Sequence, residues 1–196
     1  GKPQQRRLRH FLSLYQIKLQ TGRNGARSIK YDKGMNKLFD IKDYVVVITG
    51  GTGVLGRTIA KYLAKEGAKV IILGRKENVG AEIVADITAE GGHCEFMKTD
   101  VMCQQTVKQN CKDILEKYGR IDTLLNAAGG NMAGAVIAPE GNFFDLEVED
   151  FQKVLELNLT GTVIPTQVFL EPMVKQGKGS IINFSSMAAF RPITRV

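Results

Sequence analysis

The sequence feature that most constrains the fold is an apolar strand joined directly to a glycine-rich turn. Four consecutive β-branched residues, Val45 to Ile48, form a run too apolar to face water on either side. Glycines then recur at positions 50, 53 and 56, where they allow a tight turn, a close approach by phosphate groups and close packing of the next helix. The run therefore predicts a strand, a phosphate loop and a helix N-terminus that bind a dinucleotide.

A second interpretation of the same residues is a nucleoside-triphosphate loop. Gly51 to Thr58 reads G-x-x-x-x-G-R-T, in which Arg57 takes the position of the lysine that reaches the β- and γ-phosphates. A planar guanidinium does not replace that ammonium freely. The triphosphate interpretation is therefore the minor alternative.

The net charge of +7 is concentrated at the start of the chain. Residues 1–34 contain nine Lys or Arg and one acid, which leaves 18 basic and 19 acidic residues in 35–196. The balanced remainder does not indicate a nucleic-acid partner. The leader 1–34 fits a transit peptide, a basic nucleic-acid arm, or vector-derived or translated upstream sequence that is disordered. The last is favoured, because Met35 precedes the first strand of the domain predicted over 35–196.

The cysteine count and the hydropathy pattern limit the compartment. Cys94, Cys103 and Cys111 are odd in number and lack metal-ligand spacing, which favours reduced thiols in a cytoplasmic protein. The two histidines are isolated, so no metal site is predicted. No apolar run reaches membrane-spanning length, so no membrane association is expected.

Strand and helix patterns alternate from residue 44 onward. Strands are predicted at 44–49, 69–73, 95–99, 121–126 and 180–184, and helices after 56 and at 78–89, 106–118 and 150–175. Such repeats predict an α/β fold, a doubly wound parallel sheet with helices on both faces and its ligand at the carboxyl ends of the strands. Pro165 predicts a kink or local opening of the last helix near Gly161.

Several separated motifs occur in a fixed order along this pattern. They are Thr49–Gly56, Asp100-Val101, Asn126-Ala127-Ala128-Gly129, Asn158 within Leu157–Gly161, and Ile182–Ser186. Together they resemble the short-chain dehydrogenase/reductase family over residues 44–196. Val54 stands where the common glycine pattern has Gly, and Ala127 replaces the second Asn of the usual N-N-A-G. The resemblance implies a Rossmann-type fold and hydride transfer between a nicotinamide dinucleotide and a carbonyl or secondary alcohol.

The resemblance also implies roles for particular residues. Ser186 would bind the substrate oxygen, and Asn158 would hold a water of the proton relay. Asp100 would accept from the adenine amino group while Val101 packs on its face. The implied cofactor contacts are Gly50, Thr52, Gly53, Val54, Leu55, Gly56, Arg75, Lys76, Asp100, Val101, Asn126, Ala127, Ala128 and Gly129.

The family's Tyr-x-x-x-Lys pair has no match among the five tyrosines of this sequence. The resemblance would put that pair shortly after Val196, with a further helix and the last strands. We therefore expect the N-terminal part of an oxidoreductase, inactive alone. The alternative is a non-catalytic dinucleotide sensor or interaction protein, which has no reason to keep Asn158 and Ser186.

The end of the second predicted strand bears on the cofactor. NAD enzymes place an acid there for the ribose 2′-hydroxyl, and NADP enzymes place an Arg nearby for the 2′-phosphate. Gly74 takes the acid's position and is followed by Arg75 and Lys76, which favours NADP over NAD. The alternatives are a solvated basic turn, or a ribose contact from Glu77.

Four short stretches, Gly129–Met132, Phe143–Leu146, Pro165–Phe169 and Ser186–Pro192, resemble the fructuronate reductase, or D-mannonate oxidoreductase, branch. That likeness implies a sugar-acid substrate, contacted by Asn131 and bound at its carboxylate by Arg191 or Arg195. For each Arg, a solvated surface position is an equally weighted alternative to that role. The broad apolar arc of the 150–175 helix predicts a homodimer or homotetramer.

Overall fold

The computed structural model describes residues 18–21, 27–30 and 40–191, the first two ranges and residue 189 without their side chains. Two short strands lie within the basic leader, β1 (Lys18–Thr21) and β2 (Arg27–Lys30). They pair antiparallel, with Lys18 opposite Lys30. The origin of the leader, and its order as a whole, stay predictions.

The main body contains one parallel sheet of five strands. They are β3 (Val45–Thr49), β4 (Lys69–Gly74), β5 (His93–Lys98), β6 (Thr123–Asn126) and β7 (Ser180–Asn183). Their order across the sheet is β5-β4-β3-β6-β7. The chain therefore leaves β3 toward β4 and later returns to β6 on its other side, which opens a crevice at the carboxyl ends of these strands.

Five α-helices connect the strands of this sheet. They are α1 (Val54–Lys65), α2 (Glu77–Ala89), α3 (Gln104–Tyr118), α4 (Val148–Leu155) and α5 (Gly161–Lys175). The doubly wound α/β prediction is confirmed, and the ends of the predicted strands and helices shift by a few residues. The first helix begins at Val54 rather than after Gly56, and the fourth strand of the sheet begins at Thr123 rather than at residue 121.

The core forms on both faces of the central strands. Alternate residues of β3 and β4 pack in one cluster with α3 and α5, and Phe169 is its largest fully buried side chain. The intervening residues, such as Val46 and Ile72, point to the opposite face. There α1 and α2 contribute buried Ala60 and Ile83. All of β3 is buried, which explains its unbroken β-branched sequence.

The predicted long helix at 150–175 is interrupted. A π-helical segment, Glu156–Thr160, separates α4 from α5. The predicted opening therefore exists, but it lies one turn before Gly161, and Pro165 itself lies within α5. Within the described residues, no helix combines the length and the apolar character that crossing a bilayer requires.

Candidate dinucleotide cleft and its surroundings

A cleft of about 330 Å³ lies at the carboxyl ends of the central strands. Its walls come from five parts of the chain: the loop after β3, the end of β4, the turn after β5, the loop after β6 and the helical region around Leu157. The lining residues are Gly50, Thr52, Gly53, Leu73, Gly74, Arg75, Lys76, Thr99, Asp100, Val101, Ala127, Ala128, Gly129 and Leu157. The structure thus brings together ten of the residues predicted to contact a cofactor.

The glycine-rich loop forms the tight turn that its sequence predicts. Gly50 has φ +65°, and the Gly53 N–H donates to the Gly50 carbonyl over 2.9 Å. A Cβ at Gly50 would lie 2.6 Å from the Ala127 carbonyl oxygen, and one at Gly56 would overlap the Gly50 carbonyl. The loop therefore packs against the Ala127–Ala128 strand end and against its own helix without room for side chains.

The N-terminus of α1 opens toward this loop without a capping side chain. Gly53 is the N-cap, it has extended backbone geometry, and the first turn contains no acid. The N–H groups of a first helical turn have no intrahelical acceptor and carry the positive end of the helix dipole. Gly53 lines the cleft, and a Cβ there would meet only the Gly50 carbonyl oxygen, at 3.2 Å. This cradle fits an anionic group such as a pyrophosphate.

Three residues expected to contact the cofactor lie around this loop but do not line the cleft. Val54 and Leu55 are 86% and 63% exposed at the start of α1, and Gly56 is buried behind the loop. Val54 and Leu55 lie in the first turn of α1, where backbone N–H groups have no intrahelical acceptor, so their amides are available to bind phosphate. Their contact with a cofactor stays a prediction.

Asn126 lies beneath the floor of the cleft rather than on its surface. Its side chain is 97% buried and its Nδ2 donates to Thr166 Oγ1 at 2.9 Å and to Asn183 Oδ1 at 2.8 Å. The Ala128 N–H donates to Thr49 Oγ1 at 3.2 Å, which joins the floor to β3. Asn126 therefore ties the end of β6 to α5 and to β7.

The ends of β4 and β5 bring to the cleft the basic and acidic residues that the sequence analysis named as cofactor contacts. Arg75 and Lys76 follow β4 and are exposed, and within the described residues neither takes part in an ion pair. Asp100 accepts from the Met102 N–H at 3.0 Å through one oxygen. Glu77 is bonded to Lys98, with 3.1 Å between Oε2 and Nζ. A cationic turn and an acidic turn thus face the same cavity.

Four lining residues, Leu73, Gly74, Thr99 and Leu157, are not among the cofactor contacts predicted from the sequence. Thr99 follows β5 directly and its N–H donates to the Gly74 carbonyl at 2.8 Å, a position that the end of a parallel strand could have indicated. Leu157 belongs to the π segment. Its place on the wall depends on that local unwinding, for which the sequence carries no direct signal.

The residues expected to act on the substrate lie outside the lining of the cleft. Asn158 is exposed on the π segment, where Nδ2 donates to the Gly130 carbonyl at 2.7 Å and Oδ1 accepts from the Gly130 N–H at 3.1 Å. Ser186 is exposed after β7, where its Oγ caps the 3-10 turn Met187–Ala189 through the Ala188 N–H at 3.2 Å.

The three remaining substrate candidates differ in what the structure describes. Asn131 is exposed in the loop after β6, and its Oδ1 accepts from the Met132 N–H at 2.9 Å. Arg191 is exposed at the end of the described range, whereas Arg195 lies outside it. Among the described residues, no group of three His, Cys, Asp or Glu side chains could hold a metal ion.

Comparison with known proteins identifies the family of this arrangement. A family model described as short chain dehydrogenase matches residues 44–196. An uncharacterized oxidoreductase UxuB of Bacillus subtilis is 40% identical over 158 residues, which cover 76% of this chain and 57% of that protein. A 3beta-hydroxysteroid dehydrogenase of Mediterraneibacter gnavus is 37% identical, covering 78% of this chain and 52% of its own length.

Solved structures agree with these relatives. A candidate D-mannonate oxidoreductase from Haemophilus influenza, solved with bound NAD, matches with a TM-score of 0.74 and 33% identity, over 80% of this chain and 60% of that one. An actinorhodin polyketide ketoreductase variant with NADPH matches with a TM-score of 0.71 and 27% identity, over 78% and 57%. The chain thus spans 52–60% of the length of these four proteins.

Proposed function

Because the chain belongs to the short-chain dehydrogenase family, we propose that it binds a nicotinamide dinucleotide in the cleft and forms part of an NAD(P)-dependent oxidoreductase. The observation that carries the proposal is the meeting, in one cavity, of an uncapped helix N-terminus, a cationic turn and the Asp100 turn. When bound, the dinucleotide would supply the hydride acceptor or donor.

The walls of the cleft suit different parts of such a ligand. The first-turn amides of α1 would hold the pyrophosphate, since they are free of a capping side chain. The free oxygen of Asp100 would accept from the adenine amino group, and buried Val101 would pack on the ring. Ala127, Ala128 and Gly129 would form the floor beside the adenosine ribose.

We further propose a preference for NADP over NAD. A Cβ at Gly74 would lie 2.7 Å from Thr52 Oγ1, so this site has no room for the acid that binds a ribose 2′-hydroxyl. Glu77 is the nearby alternative acid, and it is bonded to Lys98. Arg75 and Lys76 line the cleft and are available for a 2′-phosphate.

The reaction that these residues would serve is the interconversion of a carbonyl and a secondary alcohol in a small molecule. Ser186 would hydrogen-bond the substrate oxygen, and Asn158 would hold a water for proton transfer. A sugar acid fits the candidate contacts Asn131, Arg191 and Arg195. The assembly would be a cytoplasmic homodimer or homotetramer, and the chain alone would bind without turnover, since it has no Tyr-x-x-x-Lys pair.

The alternative of a non-catalytic sensor stays a prediction. Asn158 and Ser186 make local contacts that neither favour nor exclude it. The relatives named above include oxidoreductases and a steroid dehydrogenase, which favour the enzyme.

Fluorescence titration with NADPH and NADH tests the proposal. We expect NADPH to bind roughly tenfold more tightly, because a 2′-phosphate gains charge-assisted hydrogen bonds. Arg75→Ala should reduce that preference to about threefold or less. The matched control is Arg57→Ala, since Arg57 is partly exposed on α1 and pairs with Glu82 at 3.6 Å outside the cleft lining.

Two outcomes would contradict different parts of the proposal. Equal affinities for the two dinucleotides, unchanged by Arg75→Ala, would overturn the NADP preference alone. Absence of binding by either dinucleotide to folded protein would overturn the assignment of the cleft.

A further inference from the structure

The loop after β6, which leaves the cleft floor, is hydrogen-bonded at two separate points to the helical region made of α4 and the π segment. The first is the reciprocal pair between Gly130 and the Asn158 side chain. The second is at Gly134, whose N–H donates to Asp150 Oδ2 at 3.1 Å and whose carbonyl accepts from the Glu147 N–H at 2.9 Å. Asn131 and Met132 lie between the two points, directly after Gly129 of the cleft.

The second attachment point is built for close approach. A Cβ at Gly134 would lie 2.7 Å from Glu147 Oε2 and 2.8 Å from Asp150 Oδ2. Both backbone groups of Gly134 are used by the start of α4, and Ala135 directly after it is 95% buried. The loop is therefore fixed by its backbone, whereas Asn131 remains exposed to make other contacts.

We propose that Asp150 is a positioning residue, which holds Gly134 and thereby fixes the Asn131–Met132 segment at the rim of the cleft. The inference rests on the proposed function, in which Asn131 is the candidate substrate contact at that rim. Asp150 acts through the loop backbone and touches neither cofactor nor substrate. Its carboxylate supplies a charge-assisted acceptor, which makes the attachment stronger than a neutral one.

The charges around Asp150 make the attachment depend on pH. Lys153 donates to Asp150 Oδ1 at 2.7 Å, and Glu147 and Glu149 are the other charged groups in this turn. Hydrogen bonds from Lys153 and from the Gly134 amide lower the pKa of Asp150. A lowered pKa means that the attachment is complete above the ordinary pKa of an aspartate. It weakens as the pH falls through the lower value in the folded protein, because the protonated carboxyl is then a neutral acceptor.

Amide hydrogen exchange at single residues, followed by NMR on the whole chain, tests this proposal. We expect Asp150→Ala to speed exchange of the Gly134 amide about tenfold relative to the middle of α3, since a hydrogen bond to a charged group is lost. Asp150→Asn keeps an oxygen acceptor and should restore most of the protection. Glu149→Ala removes a neighbouring exposed acid of the same helical turn, so it serves as the matched control and should leave Gly134 unchanged.

The pH profile separates positioning from a general loss of stability. Protection of Gly134, corrected for intrinsic exchange, should fall in acid for the parent chain and should not change with pH in Asp150→Asn. Unchanged exchange in Asp150→Ala, equal loss in Glu149→Ala, or the same acid profile in Asp150→Asn would each overturn the proposal. If Asp150→Ala unfolds, the profile of Asp150→Asn decides. NADPH titration of the same variants tests the cleft separately, because these exchange rates are measured without ligand.

Discussion

The two edges of the sheet are built differently. On one edge, β5 carries charged and polar side chains, and Glu95 accepts hydrogen bonds from Lys117, Tyr118 and His93. On the other, β7 contains no charged residue, and Ile182 and the following Phe184 are 47% and 42% exposed. Polar side-chain contacts join the first edge to α3, and we call it the closed edge. The second edge presents apolar side chains to solvent, and we call it the exposed edge.

This difference shows which edge of the described sheet is covered by contacts within the chain and which edge is left exposed. Charged edge strands resist pairing with other chains, and exposed apolar edges promote it. Most residues that line the candidate cleft follow β3, β4 and β5, in the better covered half of the sheet, whereas residues 127–129 and Leu157 complete it from the side of β7. The substrate candidates Asn158 and Ser186 lie toward the exposed half.

Thiol labelling gives the largest expected contrast and tests whether the β5 edge is closed. Burial raises the pKa of Cys94, within β5, to about 12, and burial also raises the pKa of Cys111 to about 11. Cys103 is exposed, and hydrogen bonding with Thr106 lowers its pKa. A disulfide reagent at pH 8 should modify one of the three thiols at least about a hundredfold faster than the others. Cys103→Ser should remove that fast phase, and fast modification of Cys94 would show that the edge is open.

A matched pair of phenylalanine truncations is expected to differ by about 2 kcal/mol. Phe96 of β5 packs against Gly80 of α2 and is partly buried, so Phe96→Ala should cost about 2–3 kcal/mol through a cavity. Phe184→Ala should cost less than about 1 kcal/mol, because that ring is already 42% exposed. Urea unfolding of both variants measures the difference. Equal costs would mean that the β7 edge is covered in solution.

Sequence patterns predicted the better covered half of the fold more completely than the other half. The β-branched run of β3 and Gly50 with its positive φ are local features, and local features follow from residue type. Pro165 indicated an opening of the helix near Gly161, but no local pattern placed it at Glu156–Thr160 or brought Leu157 into the cleft. The bond between Gly134 and Asp150 likewise depends on packing between residues distant in sequence.

Charging the exposed edge should lower self-association roughly severalfold. Ile182→Lys places a cation on a side chain that is 47% exposed, so it should reduce aggregation with little cost to folding. Ile182→Leu keeps an apolar side chain at the same position and serves as the control. Static light scattering at fixed protein concentration compares the three proteins. If the lysine variant scatters as much as the parent, another surface causes association.

Removing the charge at the closed edge should have the smallest effect, about 0.5–1 kcal/mol after solvent screening. Burial alone would raise the pKa of Glu95, but hydrogen bonds from Lys117, Tyr118 and His93 outweigh it and hold the pKa below the ordinary value of a glutamate. The stabilisation is therefore complete above that ordinary value and is lost as the pH falls through the lower folded value. Glu95→Gln should destabilise the protein in urea at pH 7 and match the parent near pH 3. Glu116→Gln, in an exposed pair with Lys112 at 3.7 Å on α3, should change stability less at either pH. An equal loss at both pH values would mean that the carboxylate charge does not hold α3 to β5.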